Sequence, residues 1–517
     1  MESSKLIPVS KNESLENCAD LITSDEACLG VLDKEGKMFG FVKKNTVLKA
    51  LKLGIGYMPV SLLTSLTDSK DLSCNMQTGI NLRANYEQYM PDNIKQALAL
   101  FSDAADMANI NIYLVGGIVR DIILNIKNFD IDITVEGNAV EFAEMLEREY
   151  PETCSVIEKH EDFKTAKIVF NSGVFNLNGI EAAFDFASTR SEMYKTPASL
   201  PVVEQIGCSI CEDVSRRDFT INSMALSLRK NHLYDLTDPL GGYDDLKNKI
   251  IRILHPLSFI DDPTRVIRAL KFSCRFGYTP DNSTRYLMDE CIKSGLFNGI
   301  CGERIKSEIK QTFNLNRVEC FNDFISQDLY TLIDEDISNG LNLIPAGNKI
   351  LETVNKYLHY IHNKDFIWLI YLSCLLAVLP AAKIEQIAQK LNMSGKEKLV
   401  LTGTKEILDN QDILTGAKDN FEIYEVLRKV PFESILAGLA CINNPTAVKN
   451  IENYINNLKD IKISVSGKDL AALGVKQGVE YGNILKAVLK AKINLEITTH
   501  EEEIELLRRL ARQLKET

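Results

Sequence analysis

Two aspartates lie two residues apart in a segment with an alternating pattern. In the run FDIDIT at 129–134, every second residue is apolar, which is typical of a β-strand. Asp130 and Asp132 should therefore project from one face of that strand, where two carboxylates repel each other unless a cation occupies the site. Mg²⁺ prefers oxygen ligands and shares them with phosphate oxygens. A bare Asp-x-Asp on a strand is more often structural, but the glycine motif that precedes this one favours a magnesium site for a triphosphate.

A third carboxylate belongs to a later apolar run. In AAFDFAS, Asp185 lies between Phe184 and Phe186 and should face away from both rings. It is either a third metal ligand or a solvated strand residue. Two cations about 4 Å apart would activate an attacking hydroxyl and stabilise a leaving pyrophosphate.

A glycine turn precedes the acidic segment. The run YLVGGIVRD at 113–121 predicts a strand, a turn at Gly116 and Gly117, and then a helix. Such a turn lets a triphosphate approach the backbone amides of the helix N-terminus, and Arg120 adds positive charge one turn later. Taken alone, the motif equally describes a plain strand-to-helix connection.

Two arginine-containing segments are candidates for nucleotide recognition. In SRRDFTIN at 215–222, Arg217 is a candidate phosphate clamp, and Asp218 or Asn222 a candidate partner for a ribose hydroxyl; the alternative is a capped helix start. In DDPTRVIRALK at 261–271, a helix is predicted to begin at Pro263, with acidic and basic residues every three positions along one flank: Asp262, Arg265 and Arg268.

The second segment suggests a way to choose bases without a template. A carboxylate beside a guanidinium offers an acceptor next to a donor, which complements the amino group and ring nitrogen of cytosine or adenine. Uracil and guanine present the reverse order. An Asp262/Arg265 pair would therefore accept C and A, whereas the simpler alternative is a surface salt bridge of small energetic value.

These motifs occur in an order that resembles the class II tRNA nucleotidyltransferase and poly(A) polymerase family. The resemblance covers about residues 113–310 and rests on LVGGIVRD, FDIDITV, RRDFTINSMAL, DPLGGYDDLKNKIIRIL, DDPTRVIRALKF and CGERIKSEI. It implies stepwise, metal-dependent addition of C, C and A to tRNA 3′ ends from CTP and ATP. It also implies that Asp130 and Asp132 bind the metal and that the glycine turn, Arg120 and Arg217 contact the nucleotide. Base recognition is assigned to Asp262, Arg265 and Arg268. The resemblance further implies a flexible connection between head and neck at GGYDDL, and a neck helix stabilised by Glu303 and Arg304.

The sequence departs from the family pattern at three places. Position 261 is Asp where the family usually has Glu, and position 271 is Lys where Arg is usual, so Lys271 keeps the charge but loses the bidentate fork. The segment between Asp185 and Arg216 lacks a basic DGRRP-like stretch. Partial enzymes that add only CC or only A, poly(A) polymerases, and a nucleotide-sensing RNA-binding protein therefore remain alternatives.

The expected fold is α+β with five parts. These are a small α/β unit at 1–80, a nucleotidyltransferase head at 81–245, and three helical regions forming neck, body and tail at 246–315, 316–455 and 456–517. Strands are expected at IYLV, FDIDITV, AKIVF and AAFDFAS, followed by a helix over FTINSMALSL. The apolar run 366–382 is expected to be a buried helix rather than a membrane span.

The composition of the chain limits which binding partners and which cellular compartment are expected. The chain has 517 residues, a net charge of −12 and 12 scattered cysteines, which is typical of a protein in a reducing cytoplasm. The negative total argues mildly against RNA, so the tail lysines are candidates for local phosphate contacts: Lys468, Lys476, Lys486, Lys490 and Lys492. Through the pattern CLGVLDKEGKMFGFVKKNTVLKAL, residues 1–65 resemble half of a cystathionine-β-synthase-type (CBS) module. The resemblance implies that this half pairs with a second chain in a dimer or with a degenerate mate.

Overall fold

The computed structural model describes residues 6–22, 28–66, 79–127, 130–170, 176–177, 180–181 and 183–516. The chain forms two compact units, Met1–Ile300 and Cys301–Thr517. The first unit is mixed α+β and the second is helical, as the sequence predicts.

The first unit begins with a small four-stranded sheet and two helices. They are β1 (Leu6–Ser10), α1 (Leu15–Leu21), β2 (Cys28–Leu32), β3 (Met38–Lys43), α2 (Lys44–Lys52) and β4 (Ser65–Leu66), and the strands follow the order β1-β2-β3-β4. Its mixture of helices and strands is what the sequence predicts for this part of the chain.

A seven-stranded sheet forms the centre of the first unit. Its strands and helices are α3 (Arg83–Tyr89), α4 (Asp92–Ala108), β5 (Ile112–Val115), α5 (Gly117–Leu124), β6 (Asp132–Val135), α6 (Ala139–Glu149), β7 (Cys154–His160), β8 (Thr165–Phe170), β11 (Ala183–Ser188), β14 (Ala225–Ser227) and β15 (Leu236–Thr237). The strand order is β15-β14-β5-β6-β11-β8-β7, with β6 and β11 parallel. Smaller elements are β9 (Asn176–Leu177), β10 (Ile180–Glu181), β12 (Arg190–Met193), β13 (Val202–Ile206) and α7 (Ile210–Ser215).

Aromatic packing determines which face of this sheet stays open. Phe101 of α4 contacts Phe184 and Phe186 of β11 and Phe170 of β8, with ring centroids 5.1 to 5.6 Å apart. Because side chains alternate along a strand, burying these rings directs Asp185 to the opposite face. The sheet therefore presents its carboxylates away from its own core.

The predicted helix over FTINSMALSL is wrong. The structure has a single 3₁₀ turn at Thr220–Asn222, followed by strand β14, which lies between β5 and β15. The segment is apolar enough to form a helix or a strand. It forms a strand because it pairs with Val115 on one side and with Leu236 on the other.

Helices follow the sheet in the first unit. They are α8 (Gly242–Asn248), α9 (Ser258–Asp261), α10 (Arg265–Phe276) and α11 (Asn282–Lys293), with the short strands β16 (Ile250–Ile251) and β17 (Thr279–Pro280) paired in parallel. α10 is capped at its end by Gly277 at φ 69° and buries one apolar flank through Val266, Ile267 and Leu270.

The second unit consists of helices throughout. They are α12 (Gly302–Phe313), α13 (Val318–Ser326), α14 (Gly347–Tyr357), α15 (Ile367–Leu376), α16 (Ala381–Lys390), α17 (Gly395–Asp409), α18 (Gln411–Gly416), α19 (Asn420–Leu427), α20 (Phe432–Cys441), α21 (Pro445–Asn453), α22 (Gly467–Ala472), α23 (Val479–Ile493) and α24 (His500–Glu516). Every residue of α15 is buried, so the predicted core helix is confirmed for Ile367–Leu376. The rest of the predicted run consists of turns and the exposed first residues of α16. Among the described residues, no helix combines the length and apolarity needed to span a bilayer.

Candidate nucleotidyl-transfer site

Three aspartates meet on the open face of the seven-stranded sheet. One carboxylate oxygen from each of Asp130, Asp132 and Asp185 lies within 4.8 Å of the other two. Asp132 is the first residue of β6 and pairs directly with Asp185 on the parallel strand β11. The structure therefore brings together the two aspartates predicted from the alternating run and the third carboxylate.

The strand that carries the first two aspartates is shorter than predicted. β6 begins at Asp132, Asp130 lies just before it, and Phe129 is outside the described residues. The backbone amide of Asp185 still donates to the carbonyl of Ile131 at 3.3 Å. This bond continues the alignment with β11 past the end of the strand and keeps the carboxylates adjacent.

The cluster is electrostatically suited to a cation. Burial raises the pKa of Asp132 to about 6, with a further contribution from Asp130 and Asp185, although Arg217 opposes the shift. All three side chains offer carboxylate oxygens, the donors that hard divalent cations prefer. A divalent cation held by these three residues would supply Lewis-acid polarisation of a phosphoryl oxygen.

The glycine turn lies beside this cluster. Gly116 has φ 72°, and a Cβ on it would lie 2.7 Å from Nη1 of Arg217. Glycine is therefore required at position 116 both for the backbone conformation and for the close approach of the guanidinium. Arg217 lines the same cleft as Asp132 and Asp185. The turn therefore lies against an arginine that lines one cleft together with two of the three carboxylates.

Arg120 faces inward. Its side chain is almost fully buried, and it donates through Nε to Asp121 at 2.8 Å and through Nη1 to Oδ1 of Asn222 at 2.6 Å. The guanidinium also lies 4.7 Å from the ring centroid of Phe276. In this arrangement Arg120 supports the helix behind the glycine turn, and its contact with a nucleotide remains a prediction.

Asp218 joins the two arginine segments. Nε of Arg268 donates to its Oδ2 at 2.9 Å, and Nδ2 of Asn222 donates to its Oδ1 at 3.0 Å. Burial alone would raise the pKa of Asp218, but Arg268 and Asn222 outweigh burial and hold it well below its usual value. Both residues proposed to meet a ribose hydroxyl therefore already bind charged partners of this chain.

The position of Asp262 corrects the helix predicted from Pro263. Asp262 has φ −141° and ψ 91° and lies in the turn between α9 and α10, which begins only at Arg265. A residue before proline is held in the extended region, because the proline ring clashes with its backbone in a helix. Asp262 Oδ1 accepts from the amide of Thr264 at 3.1 Å and from its hydroxyl at 2.5 Å. The three charged residues are therefore not on one continuous helix.

Arg265 is oriented by oxygens of the first unit. Its Nη2 donates to the carbonyl of Arg216 at 3.2 Å and approaches the hydroxyl of Tyr194 at 3.4 Å, while Nη1 approaches the carbonyl of Ser258 at 3.4 Å. Burial raises the pKa of Asp261 to about 6, although Arg265 opposes the shift.

The remaining predicted positions lie on α10 and α12. Lys271 is nearly buried, with its ammonium 5.3 Å from the ring centroid of Phe272.

Glu303 accepts from the side-chain amide of Asn392, and Arg304 follows it in the first turn of α12. Gly302 admits the close approach of this helix to the carbonyl of Lys390, which a Cβ would meet at 1.7 Å.

Sequence reasoning missed Asp213. This buried carboxylate lies 2.8 Å from Arg216 and 3.3 Å from Arg217. Burial alone would raise its pKa, but the two arginines outweigh burial and lower it. Asp213 precedes Arg216 by three residues and Arg217 by four, a spacing that indicates ion pairs on one face of a helix and could have been recognised in the sequence.

Comparison with known proteins agrees with this geometry. Residues 112–252 match the poly(A) polymerase head domain. The A-adding tRNA nucleotidyltransferase of Geobacter sulfurreducens is 31% identical over 433 residues, covering 82% of this chain and 48% of that protein. The A-adding enzyme of Aquifex aeolicus is 30% identical, covering 74% and 45%. A CCA-adding enzyme in its apo form II superposes with a TM-score of 0.68 at 27% identity, covering 85% of this chain and 99% of that one.

Residues 112–252 form a poly(A) polymerase head domain, and the chain is similar over most of its length to class II tRNA nucleotidyltransferases. The matched head domain contains the glycine turn, the three clustered aspartates and Arg217. Of these, Asp132, Asp185 and Arg217 line one cleft, and Arg217 lies against the glycine turn. The chain spans about half the length of the curated family members it matches, at 48% and 45%.

Proposed function

We propose that this protein adds nucleotides to the 3′ end of tRNA without a template, using nucleoside triphosphates and Mg²⁺ and releasing pyrophosphate. The observation that carries the proposal is the meeting of Asp130, Asp132 and Asp185 beside the glycine turn and Arg217. Three carboxylates supply metal ligands, and the turn and arginine supply the positive side of a triphosphate site. Rate enhancement would come mainly from positioning and charge neutralisation.

Full addition of C, C and A is the first form of this activity. Arg265 is held by two main-chain carbonyls and the Tyr194 hydroxyl, which fixes the guanidinium next to the turn that carries Asp262. A fixed donor beside a carboxylate suits both CTP and ATP.

Addition of A alone is the second form. The relatives of Geobacter sulfurreducens and Aquifex aeolicus are both named A-adding enzymes, which favours a division of labour with another enzyme that adds CC. The three departures at 261, 271 and the segment before Arg216 are compatible with such a specialised member.

A primer-extension assay separates these forms. Purified protein is incubated with Mg²⁺ and labelled CTP, ATP or both, using one tRNA transcript that ends before CCA and one that ends in CC. Extension of both transcripts supports CCA addition, and extension by ATP of the CC-ending transcript alone supports A addition. Long A tails would indicate a poly(A) polymerase. Tight tRNA binding without pyrophosphate release would overturn the proposal in favour of a non-catalytic RNA-binding protein.

The small N-terminal unit is proposed to be a CBS-type half module that pairs with a second copy. Its support is a compact sheet with two helices in the order that the resemblance implies. Sedimentation of the intact chain tests this: a dimer that persists when residues 1–65 are deleted would overturn it.

A further inference from the structure

Four charged residues form a row across adjacent strands of the seven-stranded sheet. Asp132 on β6 pairs with Asp185 on β11, Asp185 pairs with Lys167 on β8, and Lys167 pairs with Glu158 on β7. Paired residues on neighbouring strands project from the same face of a sheet. Lys167 is therefore the single cation in a row that otherwise consists of carboxylates.

The side chain of Lys167 opens into the cleft. Its ammonium lies 3.3 Å from the carboxylate of Asp185, its side chain is 35% exposed, and it lines the cleft together with Asp132 and Arg217. An ion pair this open contributes only about 0–1 kcal/mol to stability. The ammonium of Lys167 is therefore a partly exposed positive charge in the cleft that Asp132 and Asp185 line.

The strand order places this charge opposite the triphosphate side. The glycine turn follows β5 on one flank of the carboxylates, with Arg217 against it, and Lys167 lies on β8 at the other flank. In a phosphoryl displacement the attacking and leaving oxygens lie roughly in line on opposite sides of phosphorus. If the pyrophosphate leaves toward Arg217, the attacking hydroxyl arrives from the side of Lys167.

We propose that Lys167 binds the phosphodiester next to the 3′-terminal hydroxyl of the acceptor RNA. The inference rests on the proposed function and assigns one residue to the acceptor rather than to the incoming nucleotide. A lysine suits this role because its ammonium is a compact charge on a flexible stem. It can leave Asp185 for an arriving phosphate without any change in the backbone.

The test compares two substitutions with a matched control. Lys167→Met removes the charge and keeps the length, and Lys167→Arg keeps the charge. Lys159→Met is the control, because Lys159 lies on the neighbouring strand β7 but pairs with Glu144 at 2.7 Å. Initial rates are measured against tRNA and against nucleotide separately, with the transcript that the wild type extends. Binding of the same tRNA without nucleotide is followed by fluorescence anisotropy at several salt concentrations.

For Lys167→Met we expect the KM for tRNA to rise about 5- to 10-fold, while the KM for the nucleotide stays within about twofold. The slope of log affinity against log salt should fall by about 0.7, the value for one lost contact to a single strand. Lys159→Met should resemble the wild type in every measurement, and Lys167→Arg should retain the salt slope because it keeps the charge.

Two results would overturn the inference. One is unchanged tRNA affinity in Lys167→Met; the other is an equal rise in the KM of both substrates, which would mean that Lys167 acts only through the carboxylates. A wild-type protein that extends neither transcript would overturn the proposed function instead. In that case the anisotropy comparison still decides whether Lys167 contacts RNA.

Discussion

Arg268 and Asp218 are fifty residues apart in the chain and form a hydrogen-bonded ion pair, with Nε donating to Oδ2 at 2.9 Å. The carboxylate is nearly buried, and its other oxygen accepts from Asn222, which in turn accepts from Arg120. The pair therefore joins α10 to the helix behind the glycine turn. Separating the members of this network would break charged hydrogen bonds, so it fixes the position of α10 relative to the helix behind the glycine turn.

Breaking this pair should cost stability. Asp218→Ala leaves Arg268 without its buried partner, and we expect the free energy of unfolding to fall by about 3 kcal/mol. A double-mutant cycle with Arg268→Gln, measured by urea unfolding followed by circular dichroism, should show a coupling energy above about 1 kcal/mol. The exposed pair Arg148–Glu149 is the control and should show less than about 0.5 kcal/mol. Additive effects at 218 and 268 would contradict the network.

Loss of either clustered aspartate should abolish nucleotide incorporation. Asp130→Asn or Asp132→Asn keeps the size of the side chain but removes a negative ligand, and we expect rates to fall on the order of 10³-fold. Thermal stability should stay the same or rise, because like-charge repulsion is relieved. Asp460→Asn, at an 84% exposed side chain, should be fully active. If Asp130→Asn and Asp132→Asn both incorporated nucleotides at the wild-type rate, the proposed role of these aspartates in metal binding would be contradicted.

A methyl group on the glycine turn should damage nucleotide binding more than folding. Gly116→Ala strains the backbone by about 1–3 kcal/mol, because φ 72° with ψ −128° is rarely adopted by L-residues, and its Cβ also meets Arg217 at 2.7 Å. Gly54→Ala is a matched control, since Gly54 has φ 76° and a Cβ on it would meet no atom of the described residues within 4 Å. Gly54→Ala should lose stability from backbone strain alone, and Gly116→Ala should lose at least as much in thermal unfolding. Only Gly116→Ala should raise the KM for the nucleotide, by about tenfold, and equal KM values in both variants would argue against a clamp.

Base selection should depend on the acceptor at position 262. Asp262→Asn can turn an amide donor toward O4 of uracil, whereas the carboxylate can only accept. We expect the ratio of UTP to CTP or ATP incorporation to rise about tenfold or more. Asp92→Asn, with a 92% exposed side chain, serves as the control. An unchanged ratio, together with normal rates, would mean that selection lies elsewhere in the cleft.

The second unit should lose stability as pH falls through the titration of Glu503. Burial alone would raise the pKa of this carboxyl, but Lys492 and Ser464 lower it to about 2. Since the folded-state pKa is depressed, the contribution is complete above about 4.5 and is lost between 4.5 and 2. The stability difference between wild type and Glu503→Gln should therefore be largest near pH 6 and shrink below 4.5.

The single tryptophan of the chain provides a way to measure the stability of the second unit. Trp368 is fully buried in α15, so its fluorescence reports unfolding of the second unit. Glu501→Gln, at an exposed position of the same helix as Glu503, should show no pH-dependent difference from the wild type. A stability difference at Glu503 that grows as pH falls would contradict the assigned direction of the pKa shift.

Local patterns determined much of this protein. Alternation in the segments around Asp132 and Asp185 indicated which side chains leave the core, and the apolar run of α15 indicated a buried helix. Gly116 and Gly117 marked the strand-to-helix turn. These features depend on neighbours within a few residues, so their periodicity can be seen in the sequence alone.

Only the tertiary structure decided which distant residues meet. Parallel pairing of β6 with β11 brings Asp185 to Asp132, and β14 is a strand because it lies between two others. Arg268 was predicted to read a base, yet the fold gives it Asp218 as a partner. Ion pairs and strand ladders between residues far apart in the chain depend on packing and leave no period in the sequence, which is why these relationships become visible only in three dimensions.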